Sequence, residues 1–168
     1  MKNRIKAVVV LLVGVATMLG LALAGGSSAS AATVGAQNFV VVSSNAAATT
    51  NPVLATGVIH ARGTDTQRPN GSDVFRFRNG ALLVTHHRVA GTDNLDRLTC
   101  LDRFTERGTY AIVAGSRDYR GARGVGAYNL TGLALYQKAR SGRCLTNRTP
   151  DVFQLVIEAR GGISLPLV

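Results

Sequence analysis

The chain is short of the patterns that announce chemistry. It has no H-E-x-x-H, no nucleophile elbow and no phosphate loop, which removes the usual motifs of zinc peptidases, α/β-type serine hydrolases and P-loop nucleotide hydrolases. Histidine is scarce, and the three present do not converge. His86 and His87 are adjacent, so on a strand they face opposite sides, and His60 is far off in sequence; no metal site is expected. The two cysteines, Cys100 and Cys144, lack C-x-x-C spacing, which argues against a redox or metal pair. No cofactor motif and no tandem repeat occur, and no segment holds an amphipathic helical period with caps. After residue 6 the only lysine is Lys138, and no second long apolar run follows the one at the N-terminus.

That first run is the clearest positive signal. Lys2, Arg4 and Lys6 precede an apolar stretch from Ala7 to Ala24, and Ala29-Ser30-Ala31 supplies an A-x-A site. The pattern predicts a signal peptide over residues 1–31, cleaved near Ala31, and a secreted chain with no membrane segment left after cleavage. An 18-residue apolar run also fits an uncleaved anchor, the competing reading. Cleavage leaves 137 of the 168 residues, enough for one domain, and removal of the three leader cations lowers the net charge from +10 to +7. The remaining arginines are scattered from Arg62 to Arg160 rather than gathered in a run. This argues against nucleic acid as a partner and leaves anionic cell-envelope polymers as the more natural one. In an exported chain an isolated even pair reads as a disulfide, Cys100 to Cys144.

Residues 32–51 are rich in Ala, Ser, Thr and Asn around one apolar patch, Phe39 to Val42. They read as a flexible N-terminal arm with at most one edge strand. From Pro52 onward, short β-type runs alternate with turn clusters: Val53–Arg62, Asp73–Arg78, Ala81–Arg88, Leu98–Arg107, Thr109–Ala114, Gly124–Ala139 and Val152–Leu165. Many short strands with Gly and Asn turns predict an all-β antiparallel sandwich or barrel over residues 52–168.

Asn79-Gly80 is a strong two-residue hairpin signal. That loop would pair Phe77 with Leu82, Phe75 with Val84 and Asp73 with His86. Residues two apart share a face, so Asp73, Phe75, Phe77, Leu82, Val84 and His86 point one way, toward the core. Asp73 and His86 are then an inward carboxylate–imidazole pair, suited to a general base or to a satisfied ion pair at the barrel mouth. On the next run Cys100, Asp102, Phe104 and Glu106 share a side. Glu106 is either a second interior carboxylate or a surface group paired with Arg103 or Arg107. On the last run Phe153, Leu155, Ile157 and Ala159 face inward.

The segment Gly108 to Tyr128 reads GTYAIVAGSRDYRGARGVGAY. It resembles the Gly-Gly-Thr-Gly-x-Phe-x-x-Ala-Arg-Gly signature of the allene oxide cyclase and dirigent-like β-barrels. Gly115, Ser116, Tyr119, Ala122, Arg123 and Gly124 fall on matching positions, and Arg117 stands where the signature has its third glycine. The hairpin Asp73-x-Phe75-x-Phe77 with Leu82-x-Val84-x-His86, the run Phe104-Thr105-Glu106-x-Gly108-Thr109-Tyr110, and the closing Ala159 to Leu165 are similar to small exported actinobacterial members. The resemblance spans about residues 55–165. It implies a single up-and-down, calycin-like antiparallel β-barrel of about eight strands, able to hold one small apolar ligand. In the cyclases and dirigent proteins that it resembles, pocket shape steers the reaction with few polar groups.

Three functions stay open on the sequence. The first is a binding module for a small hydrophobic molecule, lined by Phe75, Phe77, Leu82, Val84, Tyr110, Phe153 and Leu155. The second is a cyclase or isomerase acting on a hydrophobic substrate, with Asp73, His86 and Glu106 as its catalytic groups. The third is a cell-envelope interaction scaffold whose interior is packed solid by its own large side chains.

Overall fold

The computed structural model describes residues 32–166, so the predicted signal peptide lies outside the described residues. Eight strands follow one another: β1 (Ala32–Ser43), β2 (Thr50–Gly57), β3 (Ala61–Gln67), β4 (Asp73–Phe77), β5 (Gly80–Asp96), β6 (Leu101–Gly115), β7 (Arg123–Leu135) and β8 (Val152–Pro166). Each pairs antiparallel with the next, and β1 pairs with β8 along its whole length, so the sheet closes into an up-and-down barrel. Closure removes the two open edges that a seven-stranded sheet would leave at β2 and β8.

The residues expected to form a flexible arm therefore form β1. Two signals were available. Phe39 and Val41 alternate with Val40 and Val42, and the structure buries the first two while Val42 is exposed. The more polar half of the strand is held by backbone pairing to β8, from Ala32↔Pro166 to Asn38↔Arg160, which leaves no hydrophobic pattern. Within it Gln37 is fully buried, its amide accepting from the Ile59 backbone N–H (2.7 Å) and donating to the carbonyls of Ile59 and Thr56 (both 3.1 Å). That side chain ties the β2–β3 turn down over one end of the barrel.

Other boundaries move too. The run Val53–Arg62 splits at Gly57 into β2 and β3, and the expected break at 63–72 contains most of β3. The gap expected between the runs Ala81–Arg88 and Leu98–Arg107 lies almost wholly inside β5, where the register shifts between Arg88 and Ala90. A bulge of this kind bends a long strand without ending it. Leu98–Arg107 and Thr109–Ala114 merge into β6.

The β4–β5 hairpin turns at Arg78-Asn79, with Phe77 opposite Gly80, Phe75 opposite Leu82 and Asp73 opposite Val84. The register is shifted by two residues from the Asn-Gly expectation. A shift of two keeps every side chain on its predicted face, whereas a shift of one would have reversed them all. Gly80 is needed for a different reason. A Cβ there would lie 2.2 Å from the Ser116 carbonyl oxygen, because the β6–β7 connection is zipped against this hairpin. The Ser116 N–H donates to the Ala81 carbonyl (2.9 Å), and the Ala81 N–H donates to Ser116 Oγ (3.1 Å).

The two ends of the barrel differ. At the end bearing that connection, a 3-10 turn at Arg117–Tyr119 inserts Tyr119 edge-on against Phe77, with ring centroids 5.9 Å apart. Leu82, Ile112, Ala122 and Ile163 are almost wholly buried, and this end is packed. At the other end the connection from β7 to β8 is long, and Cys144 within it is bonded to Cys100 ahead of β6. The disulfide pins that connection to the β5–β6 turn, helped by Lys138 Nζ donating to the Leu98 carbonyl (2.7 Å).

Candidate functional site

Between the packed end and the disulfide end the barrel encloses a cavity of about 340 Å³. Its apolar wall comes from inward positions of five strands: Phe39 and Val41 of β1, Phe75 of β4, Val84 of β5, Leu130 of β7, and Phe153, Leu155 and Ile157 of β8. Asn45, Ala46 and Ala48 of the β1–β2 loop stand at its rim. Of the predicted ligand-lining residues, Phe75, Val84, Tyr110, Phe153 and Leu155 border this space. Phe77 and Leu82 do not. They belong to the packed end, because the barrel's inward positions near Tyr119 are filled by that ring.

One polar stretch of the cavity wall is a run of partnered groups. Asp73 lies opposite Val84, and His86 is the next inward residue along β5, so the pair meets on a diagonal, with His86 Nδ1 3.1 Å from Asp73 Oδ2. The imidazole ring meets the Tyr128 ring edge-on at 6.0 Å. The Tyr128 hydroxyl donates to Glu106 Oε1 at 2.5 Å, and Glu106 Oε2 lies 3.5 Å from Arg88 Nε. Glu106 thus faces inward and is partnered across the strands. It is not a surface residue paired with Arg103 or Arg107.

Two inward glycines set the position of the tyrosines. Tyr128 lies directly across from Gly108, and a Cβ on that glycine would come within 2.6 Å of the ring. Tyr110 likewise covers Gly126, across from it on β7, where a Cβ would lie 2.5 Å from the ring. Aromatic cover over a cross-strand glycine lets the large ring lie flat on the wall, leaving the space in front of it free.

Asp65 was not foreseen. It sits on β3 inside a stretch read as a turn cluster, in the polar run Gly63-Thr64-Asp65-Thr66-Gln67, where no apolar alternation marks a face. The Thr64/Thr66 alternation was the one available sign of a strand. Asp65 is 7 % exposed and its Oδ1 has no hydrogen-bond partner among the described residues. Burial, reinforced by the negative charge of Asp73, pushes its pKa up to about 7. Burial also raises Asp73, and the neighbouring His86 works against that shift. The Tyr110 hydroxyl is buried with no partner among the described residues, and desolvation raises its pKa. Tyr128 is raised by burial first and by its bond to the Glu106 carboxylate second.

Chemically, the arrangement offers an apolar pocket, a carboxylate-oriented imidazole, and two buried polar atoms, Asp65 Oδ1 and Tyr110 Oη, without a partner among the described residues. Comparison with family models, curated proteins and solved structures finds no match for this chain.

Proposed function

We propose that this chain is an exported barrel that binds a small, largely apolar molecule in its interior. The carrying observation is the cavity of about 340 Å³, walled by aromatic and aliphatic side chains. Sites for small molecules are of this kind: concave, mostly apolar, with a few convergent polar groups. The leader-like N-terminus and the resemblance to allene oxide cyclase and dirigent-like barrels support the same reading. Burying about 250 Å² of ligand surface at ~25 cal/mol per Å² is worth roughly 6 kcal/mol before association costs, enough for weak to moderate affinity from shape alone. The first test is native mass spectrometry of protein purified from its own culture medium, where a co-purified ligand is expected. Titration of fatty-chain and aromatic probes is the second; absence of any binding below millimolar concentration would favour the interaction-scaffold reading.

A templated cyclisation or isomerisation is the second reading, favoured by the Asp73–His86 hydrogen bond on the cavity wall. The His86 side chain is 33 % exposed and Asp73 17 %, which sets the pair toward the mouth and away from the deep apolar floor. That placement suits ligand orientation better than chemistry on a confined substrate, so binding is the primary function proposed.

A further inference from the structure

The cavity carries a charge opposite to that of the molecule around it. The whole chain has a formal charge of +10, yet the wall presents three carboxylates: Asp65 from β3, Asp73 from β4 and Glu106 from β6. Against them stand His86 on β5, which meets Asp73, and Arg88 behind the wall, which meets Glu106. The tyrosines Tyr110 of β6 and Tyr128 of β7 complete the titratable set, for β1, β2 and β8 bring none to the cavity. Asp73 and Glu106 are thus each neutralised or bonded, and Asp65 is not. It is more than nine-tenths buried, it borders the cavity, and one carboxylate oxygen lacks any partner among the described residues. The Tyr110 hydroxyl, equally buried on the same cavity, is in the same condition.

Unsatisfied buried acceptors are costly and mark a place where a partner belongs. We propose that the occupant of the cavity is an apolar molecule bearing one protonated amine, whose ammonium group lies against the Asp65 carboxylate while its hydrocarbon part lies along Phe39, Phe153, Leu155 and Ile157. This rests on the small-molecule reading above and narrows it to a ligand class. A carboxylate-headed ligand, such as a fatty acid, would set a second negative charge beside Asp65, with His86 and Arg88 already engaged by Asp73 and Glu106. An ammonium donates three hydrogen bonds and accepts none, which fits an acceptor-rich wall. The same geometry makes binding pH-dependent. The ammonium needs Asp65 ionised, and Asp65 gives up its proton only near neutral pH, while an alkylamine stays protonated to about pH 10. Affinity for the cation therefore rises from acid to mildly alkaline pH.

The test uses octylamine, 1-octanol and octanoate against the mature protein by calorimetry at about pH 8 and about pH 5.5. Octylamine is expected to bind at least tenfold more tightly than either other probe at the higher pH, and to lose at least fivefold at the lower. Asp65→Asn should abolish the preference, and Glu158→Gln on the exposed outer face should leave it intact. Should Asp65→Asn fail to fold, the wild type still decides: octylamine binding at about pH 6.5, measured in two buffers of different ionisation heat, must release a fraction of a proton. Equal or tighter binding of 1-octanol or octanoate at about pH 8, a preference retained in Asp65→Asn, or no proton release would each overturn the inference. Octanol binding without an amine advantage sinks only this inference. Failure of all three probes sinks the binding reading as well.

Discussion

At the scale of single residues, two side chains sit where simple rules would not put them. Arg117 has φ of +54°, in the left-handed region that disfavours a side chain. Its turn has a backbone that glycine adopts freely and arginine does not. Arg117→Gly is expected to stabilise the protein by about 0.5–1 kcal/mol, after the entropy cost of glycine is set against the relieved strain. A rise of a few degrees in Tm would register it; a fall would mean the arginine side chain holds the turn. Asp65 is the other. Its pKa is raised on folding, so the folded state binds its proton more tightly than the unfolded state between about pH 4 and about pH 7. Stability from this group is present at acid pH and is lost as pH rises through about 7. Asp65→Asn should remove that slope, an effect on the order of 1–2 kcal/mol between about pH 5.5 and about pH 8, and should be the more stable protein at the higher pH. Chemical denaturation at the two pH values checks the sign. An unpartnered carboxylate kept at a cost to stability is what a binding site asks for and a packed core does not.

Elements were legible where one face is apolar and blurred where neither is. Alternation placed Phe75, Phe77, Leu82, Val84, Leu155 and Ile157 on the inner face, and the structure keeps them there although the hairpin register differs by two. The Asn-Gly dipeptide misled because Gly80 serves the close approach of Ser116, a contact between elements distant in sequence. β3 and the first half of β1 were missed for one shared reason: their inward positions include Asp65 and Gln37, so burial is carried by polar side chains and by ladder hydrogen bonds that leave no hydrophobic trace. The same gap hid the most informative cavity residue. The Cys100–Cys144 bond, by contrast, was legible from a leader-like N-terminus together with a lone even pair of cysteines. It spans 44 residues and anchors the long β7–β8 connection, so reduction should cost about 2–4 kcal/mol. A shifted urea midpoint on adding reductant is the expected result. An unchanged midpoint would mean that Tyr136, Lys138 and their backbone contacts hold that connection without the bond.

For the whole molecule the deciding question is whether the interior is space or packing, and the structure divides the barrel between the two. One end is filled by Phe77, Tyr119, Ile112 and Ile163; toward the other, Tyr110 and Tyr128 lie over Gly126 and Gly108, and the cavity opens in front of them. A barrel of eight strands is at the size where either outcome is available, which makes the choice of residues, not the fold, responsible for the cavity. Leu155 borders that space on β8 and is only partly buried, so a larger side chain there can grow into the cavity without displacing core atoms. Leu155→Trp is therefore expected to abolish probe binding while changing Tm by no more than a few degrees, in contrast to the 1–3 kcal/mol loss that the same enlargement causes in a filled core. Because the chain has no tryptophan of its own, the variant's emission reports its surroundings directly, and a blue-shifted band insensitive to added octylamine is the predicted signature. A strongly destabilised variant that still binds the probe would place the ligand elsewhere and make the barrel interior a packed core.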